Sequence, residues 1–184
     1  QEMESCFRKQ LDFVSRGEDA YRSSLQTQKY LVSGDEEEIA IKSYILCDIA
    51  SNILLQAQVL SSLLLNSDSF SERSRAQEVS DKYNLAAEAF CQAIKFNSID
   101  AASWCGLGCS ILEKDPLLAQ HAFCRCAQID SIFPDAYANV GFLYTSKLAF
   151  SASRSTMEAL TQVADTPMMW MNCAFILERE AERC

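Results

Sequence analysis

Turn residues are scarce in this 184-residue chain, which has 5 glycines and 3 prolines. Average usage would supply about 12% of the two together, and sandwiches, barrels and glycine-rich phosphate loops depend on them. Positive charge is also short, because 16 Lys and Arg stand against 25 Asp and Glu and leave a net charge of −9. That balance excludes a broad basic surface for nucleic acid. We therefore predict an all-α chain whose partners are proteins.

A membrane span is also not indicated. The longest uncharged stretch, residues 49–65, carries Asn52, Gln56, Gln58 and three serines. Those polar residues predict a buried helix rather than a span. No basic-then-apolar signal opens the chain, and a start at Gln1 instead of Met indicates a fragment.

Cysteine is plentiful, with nine residues. The number is odd, and Cys47, Cys91, Cys109 and Cys173 stand inside apolar helical runs. A disulfide framework is therefore disfavoured, and we predict free thiols in a reducing compartment, the cytoplasm, with the nucleus as the alternative.

One period of 33 residues recurs along the second half of the chain. The spacing separates aromatic residues, the small residues four positions after them, and a second set of phenylalanines. These series are Trp104, Tyr137 and Trp170; Gly108, Gly141 and Ala174; and Phe90 and Phe123.

Helix-start signals agree with this period. Asp115 followed by Pro116 predicts a capped helix start, because Asp accepts from free N–H groups and Pro lacks one. Pro134 with Asp135 and Thr166 with Pro167 predict two further starts. Each 33-residue period is therefore predicted to form one helical hairpin.

The residues of these hairpins resemble the tetratricopeptide repeat. Ala86, Phe90 and Ala93 match the pattern of its second helix, and Trp104, Leu107 and Gly108 match that of its first. The resemblance implies a right-handed α-solenoid of antiparallel helix pairs, in which small residues permit close helix crossings. The predicted repeat core is Ala86, Phe90, Ala93, Trp104, Leu107, Gly108, Ala119, Phe123, Tyr137, Gly141, Tyr144, Trp170 and Ala174.

Three segments are predicted. Residues 1–38 form an N-terminal helical segment, an incomplete repeat, which Gly17 interrupts. Residues 39–100 form a divergent repeat with a long helix, a polar insertion over 66–81 and a second helix. Asp35 and Glu38 have the spacing of a cap and its partner at the start of the long helix. Residues 101–184 hold the repeats of period 33, the last one incomplete.

A narrower resemblance covers residues 41–178. The element Gln56-Ala57-Gln58 before an insertion, and the run from Ala101 to Tyr144, are similar to the large tetratricopeptide scaffold subunit of the Ski (superkiller) complex. The resemblance implies a cytoplasmic scaffold that joins a superkiller helicase to WD-repeat subunits and assists exosome-mediated 3′-to-5′ mRNA decay. The chain departs from that pattern at Cys105 and Cys124 and over residues 151–156.

No catalytic constellation is evident, so we predict a non-enzymatic protein without metal or cofactor. Cys105 with Cys109 and Cys124 with Cys126 allow a zinc interpretation, but zinc sites favour Cys-x-x-Cys in tight turns. Packing between helices is the favoured alternative. His121, the single histidine, stands in a helix without a nucleophile motif, which favours packing or surface over a triad.

A groove is the predicted binding site. Its candidate residues are Cys105, Cys109, Asn139, Met168 and Asn172. Co-chaperone repeats that grip a carboxylate would place Lys, Asn, Asn, Lys and Arg at these positions, and only Asn139 agrees. An unrelated tetratricopeptide adaptor, such as a co-chaperone or a targeting arm, remains the alternative to the Ski assignment.

Overall fold

The computed structural model describes residues 2–28, 36–65 and 72–146, together with residues 170, 171, 174, 177, 178, 181 and 182. In the three long ranges every secondary-structure element is a helix, so the all-α prediction is confirmed for them. None of these helices is long and apolar enough to cross a membrane. The helices are α1 (Glu2–Gln28), α2 (Glu36–Leu65), α3 (Glu72–Phe96), α4 (Ala101–Ile111), α5 (Pro116–Ile129) and α6 (Pro134–Ser146).

Helix α2 is the central element of a first compact unit, residues 1–98. It packs against both α1 and α3. Leu46, Ile49 and Ile53 recur every three or four residues along α2, and all three are buried. This spacing places them on one helix face. The uncharged stretch 49–65 is thus a helix packed between two others.

A chain of polar side chains also crosses the first unit. Gln56 of α2, 3% exposed, donates from Nε2 to Glu18 Oε2 at 2.7 Å. Its Oε1 accepts from Lys82 Nζ of α3 at 2.6 Å, and Arg22 Nε donates to the second oxygen of Glu18 at 2.7 Å. Burial raises the pKa of Glu18, but hydrogen bonds from Arg22 and Gln56 and the charges of Arg22 and Lys82 outweigh it and lower that pKa overall. Three helices are therefore linked through one buried amide.

The predicted interruption of the first helix at Gly17 is wrong, because α1 continues through it. A Cβ at position 17 would lie 3.0 Å from Asn52 Oδ1 of α2. Glycine therefore allows α1 to approach α2 closely here. One glycine costs a helix about 1 kcal/mol, and the packing of α1 against α2 overrides that cost.

The polar segment 72–81 is also helical, as the first part of α3, although the sequence analysis assigns it to an insertion. Side chains 76–78, 80 and 81 are exposed, as an insertion would be. Ala76, Gln77 and Glu78 are residue types that favour helix, and Gln77 Nε2 donates to Asp81 Oδ1 one turn on at 2.8 Å. The missing apolar periodicity thus reflects a solvated helix end. Residues 66–71 and Asp35 lie outside the described residues.

The second compact unit comprises residues 99–184 and contains α4, α5 and α6. Helices α5 and α6 begin at Pro116 and Pro134, where the sequence predicts two of the starts. Asp115 caps α5 by accepting from Leu118 N at 3.0 Å. The third predicted start, residues 166–167, lies outside the described residues.

Two further aspartates stabilise the helix ends of this unit. Asp100 caps α4 and accepts from the backbone N–H groups of Ala102 and Ser103, each at 3.3 Å. Asp130 follows α5 and accepts from Ile132 N at 3.0 Å. Each contact spans two or three residues of chain, so the helix boundaries are set locally.

Most of the predicted repeat core is buried or half-buried. The aromatic residues Trp104, Tyr137 and Tyr144 are half-buried. The residues that are buried are Ala86, Phe90, Ala93, Leu107, Gly108, Ala119, Phe123 and Gly141.

Trp170 and Ala174 differ from this pattern, because both are exposed. Trp170 retains 55% of its accessible surface. Residues 147–169, which precede both residues in the chain, lie outside the described residues. The assignment of Trp170 and Ala174 to the repeat core therefore stays a prediction.

Candidate functional site

Helices α4 and α6 lie together against α5. Helix α4 packs on α5, α5 packs on α6, and α4 also contacts α6. The connections, residues 112–115 and 130–133, are short, so successive helices run antiparallel and α4 and α6 run in the same direction. We call the face formed by Cys105 and Cys109 of α4 and Asn139 of α6 the α4–α6 surface.

Asn139 ties the two helices together. Its Nδ2 donates to Cys105 Sγ and to Cys109 Sγ, each at 3.5 Å. Cys105 and Cys109 are four residues apart and therefore lie on one helix face. Cys105 is 7% exposed and forms the floor, whereas Cys109 and Asn139 are half-buried. The structure thus brings together three of the five predicted groove residues. Met168 and Asn172 lie outside the described residues.

A third thiol joins this surface from below. Cys126 of α5 is fully buried in the same core cluster as Cys105. Hydrogen bonds from Cys109 and Cys126 lower the pKa of Cys105 against the effect of burial, and the Asn139 amide adds to them. The pKa of both neighbours is raised, because each hydrogen-bonds to Cys105 and is buried. A negative charge on Cys105 would thus be stabilised by two thiols and one amide.

Close packing behind the surface depends on glycine. A Cβ at Gly108 would lie 2.5 to 2.8 Å from three ring atoms of Phe123, and that ring is fully buried. Real Cβ atoms do not approach neighbours so closely, so only glycine lets α4 pack onto the ring. The predicted close approach at Gly108 is confirmed. Gly141 is buried.

The rim of the surface lies on α6. Asp135, Asn139 and Phe142 recur at three- and four-residue spacing, so they share a helix face. Asp135 is exposed, and its charge contributes to raising the pKa of Cys109. Phe142 is 37% exposed. This face therefore offers a carboxylate, an amide and an aromatic ring.

Two aromatic contacts hold α5 against its neighbours. His121 packs edge-on against Trp104, with ring centroids 6.2 Å apart and planes at 81°. Gln120 Nε2 donates to the Tyr144 hydroxyl at 2.6 Å. His121 is exposed and packs on a ring. The sequence analysis favours such a packing or surface position over a catalytic triad.

Thiol chemistry is possible at several positions of the chain. The six cysteines whose side chains the structure describes are free. Within those described residues, no three His, Cys, Asp or Glu side chains form a group that could hold a metal ion. Cys124 is half-buried, and burial raises its pKa.

Sequence reasoning missed two features. It placed Cys126 in the core but did not connect it with Cys105, which lies on another helix. It quoted Gln56 in a motif but did not pair it with Glu18 and Lys82. The available signal was the presence of amide side chains within an apolar helical run, since a buried amide requires partners.

Comparisons with known proteins give no assignment. No protein-family model matches the chain, and no curated protein is detectably similar to it in sequence. Among solved structures, the chain is similar to BtubC (BKLC) from P. vanneervenii, with 12% identity, a TM-score of 0.49, and coverage of 91% of this chain and 84% of that one. It is also similar to the MamA RS-1 ArsTM double mutant, with 13% identity, a TM-score of 0.43, and coverage of 86% and 93%. Neither similarity identifies a function.

Proposed function

We propose that this chain is a non-catalytic protein-binding scaffold, built as a right-handed tetratricopeptide-type solenoid with the α4–α6 surface as its groove. The contact of Asn139 with Cys105 and Cys109 carries this proposal. It joins α4 and α6, two helices that begin one period of 33 residues apart. Solenoids built from such repeats use a concave face for binding.

The chemistry of the surface favours a particular kind of segment. Asp135 is its charged residue, Asn139 offers an amide, and Phe142 offers an apolar ring. A partner segment with a positive charge and an apolar side chain would be complementary. The net charge of −9 adds attraction at longer range.

We further propose that the assembly served is the cytoplasmic Ski complex, in which the chain would contact a superkiller helicase and a WD-repeat subunit and assist 3′-to-5′ mRNA decay by the exosome. The support is the sequence resemblance over residues 41–178. The acidic balance suits the basic surfaces of a helicase and disfavours direct RNA binding by this chain.

A carboxylate-gripping co-chaperone is disfavoured by the site itself. Two of the required polar positions hold Cys105 and Cys109, and Cys105 is buried. The exposed Asp135 acts electrostatically on Cys109 and would repel a carboxylate. A buried carboxylate without a cation is costly.

Affinity purification of the full-length tagged protein tests the proposal. We expect a DExH-type helicase and a WD-repeat protein to be recovered together. Asp135→Lys should abolish their recovery, whereas the matched control Gln128→Lys, on exposed α5 surface, should retain it. Recovery of chaperones alone would reject the Ski assignment, and equal recovery with Asp135→Lys would reject the groove.

A further inference from the structure

Three thiols meet at the junction of α4, α5 and α6, with Cys105 in the middle. Cys105 and Cys126 belong to one buried cluster, and Cys109 packs against it. Cys126 has no exposed surface, whereas Cys109 is half-buried at the α4–α6 surface. We propose that Cys105 and Cys126 are a site of reversible oxidation, which form a disulfide when the protein meets a hydroperoxide.

The geometry selects this pair over Cys105 with Cys109. Disulfides need Cβ atoms about 3.5 to 4.5 Å apart. Residues four apart on a helix hold their Cβ atoms about 5 to 6 Å apart, so a bridge between Cys105 and Cys109 would distort α4. Cys126 approaches Cys105 from a different helix, and the two belong to one core cluster. Because the two lie on different helices, the fixed spacing of residues within α4 does not hold them apart.

The environment also selects Cys105 as the attacking sulfur. Asn139 Nδ2 lies 3.5 Å from its Sγ and donates to it, and the neighbouring thiols donate as well. These donors stabilise the negative charge on Cys105 and support the lowered pKa of this thiol. Cys105 retains 7% of its accessible surface and Cys126 retains none, so Cys105 is the sulfur of this pair nearer to solvent.

The reaction balances with hydrogen peroxide as the oxidant. The Cys105 thiolate attacks one peroxide oxygen, the O–O bond breaks, and the leaving hydroxide takes up the thiol proton as water. Cys105 is then a sulfenic acid. The Cys126 sulfur attacks the Cys105 sulfur, the S–S bond forms, the S–O bond breaks, and the second water leaves with the Cys126 proton. Two thiols are oxidised by two electrons, and one peroxide is reduced to two waters.

Peptide mapping tests the proposal on the full chain. After peroxide treatment, the remaining thiols are alkylated and the chain is cut with trypsin without reduction. Cys105 and Cys109 then lie in peptide 96–114, Cys126 in 126–147, and Cys124 in 115–125. We expect 96–114 linked to 126–147, with a mass equal to the sum of the two peptides less two hydrogens plus one alkyl group on the remaining cysteine, and release of the two by a dithiol reductant.

Variants assign the sulfur atoms. Cys109→Ser should keep the link between the two peptides, and Cys91→Ser, at an exposed site, should keep it as a matched control. Cys126→Ala should remove it. A link confined to peptide 96–114, or no link under conditions that oxidise Cys91, would overturn the proposal. Because the wild-type map alone shows either result, the test does not depend on the folding of Cys126→Ala.

Discussion

In the first unit, helices of 27, 30 and 25 residues are joined by hydrogen-bonded amide and charged side chains. In the second, helices of 11, 14 and 13 residues pack through glycine, alanine and cysteine. Gln56, Glu18 and Lys82 connect the first set. Gly108 lets helices close around Phe123 in the second. The difference teaches that the two units depend on different contacts. The first depends on buried hydrogen bonds between polar side chains, and the second depends on small residues packed around one ring.

The largest effect is expected from removing the ring that the small residues of the second unit surround. Phe123→Ala should lower the free energy of unfolding by about 3 to 5 kcal/mol, because it leaves a cavity at a fully buried site. Urea unfolding followed by tryptophan fluorescence measures it, since both tryptophans, Trp104 and Trp170, belong to this unit. The control Phe142→Ala, at a partly exposed ring, should cost much less. Equal losses would contradict the central role of Phe123.

A smaller effect is expected from cutting the polar chain of the first unit. Gln56→Leu should cost about 1 to 3 kcal/mol, because Glu18 and Lys82 each lose a hydrogen-bond partner. Far-UV circular dichroism during urea unfolding reports it, because the tryptophans lie elsewhere. Gln58→Leu, at an exposed position two residues away, is the matched control and should leave stability within about 0.5 kcal/mol. If the two variants unfold alike, the buried network contributes nothing.

Adding one methyl group at the second unit's closest crossing should cost less. Gly108→Ala overpacks against Phe123 by about 1 to 3 kcal/mol, and the better helix propensity of alanine offsets about 1 kcal/mol. Gly106→Ala on the same helix gives the propensity gain as a control. Combined with Phe123→Leu, the Gly108→Ala cost should shrink, because the ring is gone. Additive costs in the double variant would show that the clash lies elsewhere.

The smallest effect on stability is expected from protonating Glu18 at low pH. The folded-state pKa of Glu18 lies below its ordinary value of 4.5, so its carboxylate stabilises the fold above pH 4.5, and this contribution is lost as pH falls through the folded-state pKa. Wild type should therefore lose more stability than Glu18→Gln when the pH is lowered from 7 to below 4.5. The urea midpoint, followed by circular dichroism, measures this loss. Parallel losses would mean that Glu18 titrates as in the unfolded chain.

The second unit could be predicted from sequence to a greater degree than the first. Asp115-Pro116 and Pro134 act within a few residues, so their helix starts can be recognised locally. The 33-residue period also sets the repeat register from which Cys105, Cys109 and Asn139 were chosen as groove residues, and the structure places these residues in contact.

The first unit depends on contacts distant in sequence, which no local pattern reveals. Glu18, Gln56 and Lys82 are separated by 38 and 26 residues. Gly17 has the pattern of a helix break until the approach of Asn52 is known. Residues 72–81 show no apolar periodicity because they form the solvated part of a helix whose later turns are packed.

The local caps of the second unit have a consequence for the order of folding during synthesis. Asp100 and Asp115 form their contacts with residues at most three positions later, so α4 and α5 can pair as soon as they leave the ribosome. Asn139 is synthesised 30 residues after Cys109. We expect the α4–α6 surface to be completed last, and limited proteolysis of stalled nascent chains should show the α4–α5 hairpin protected before α6 appears.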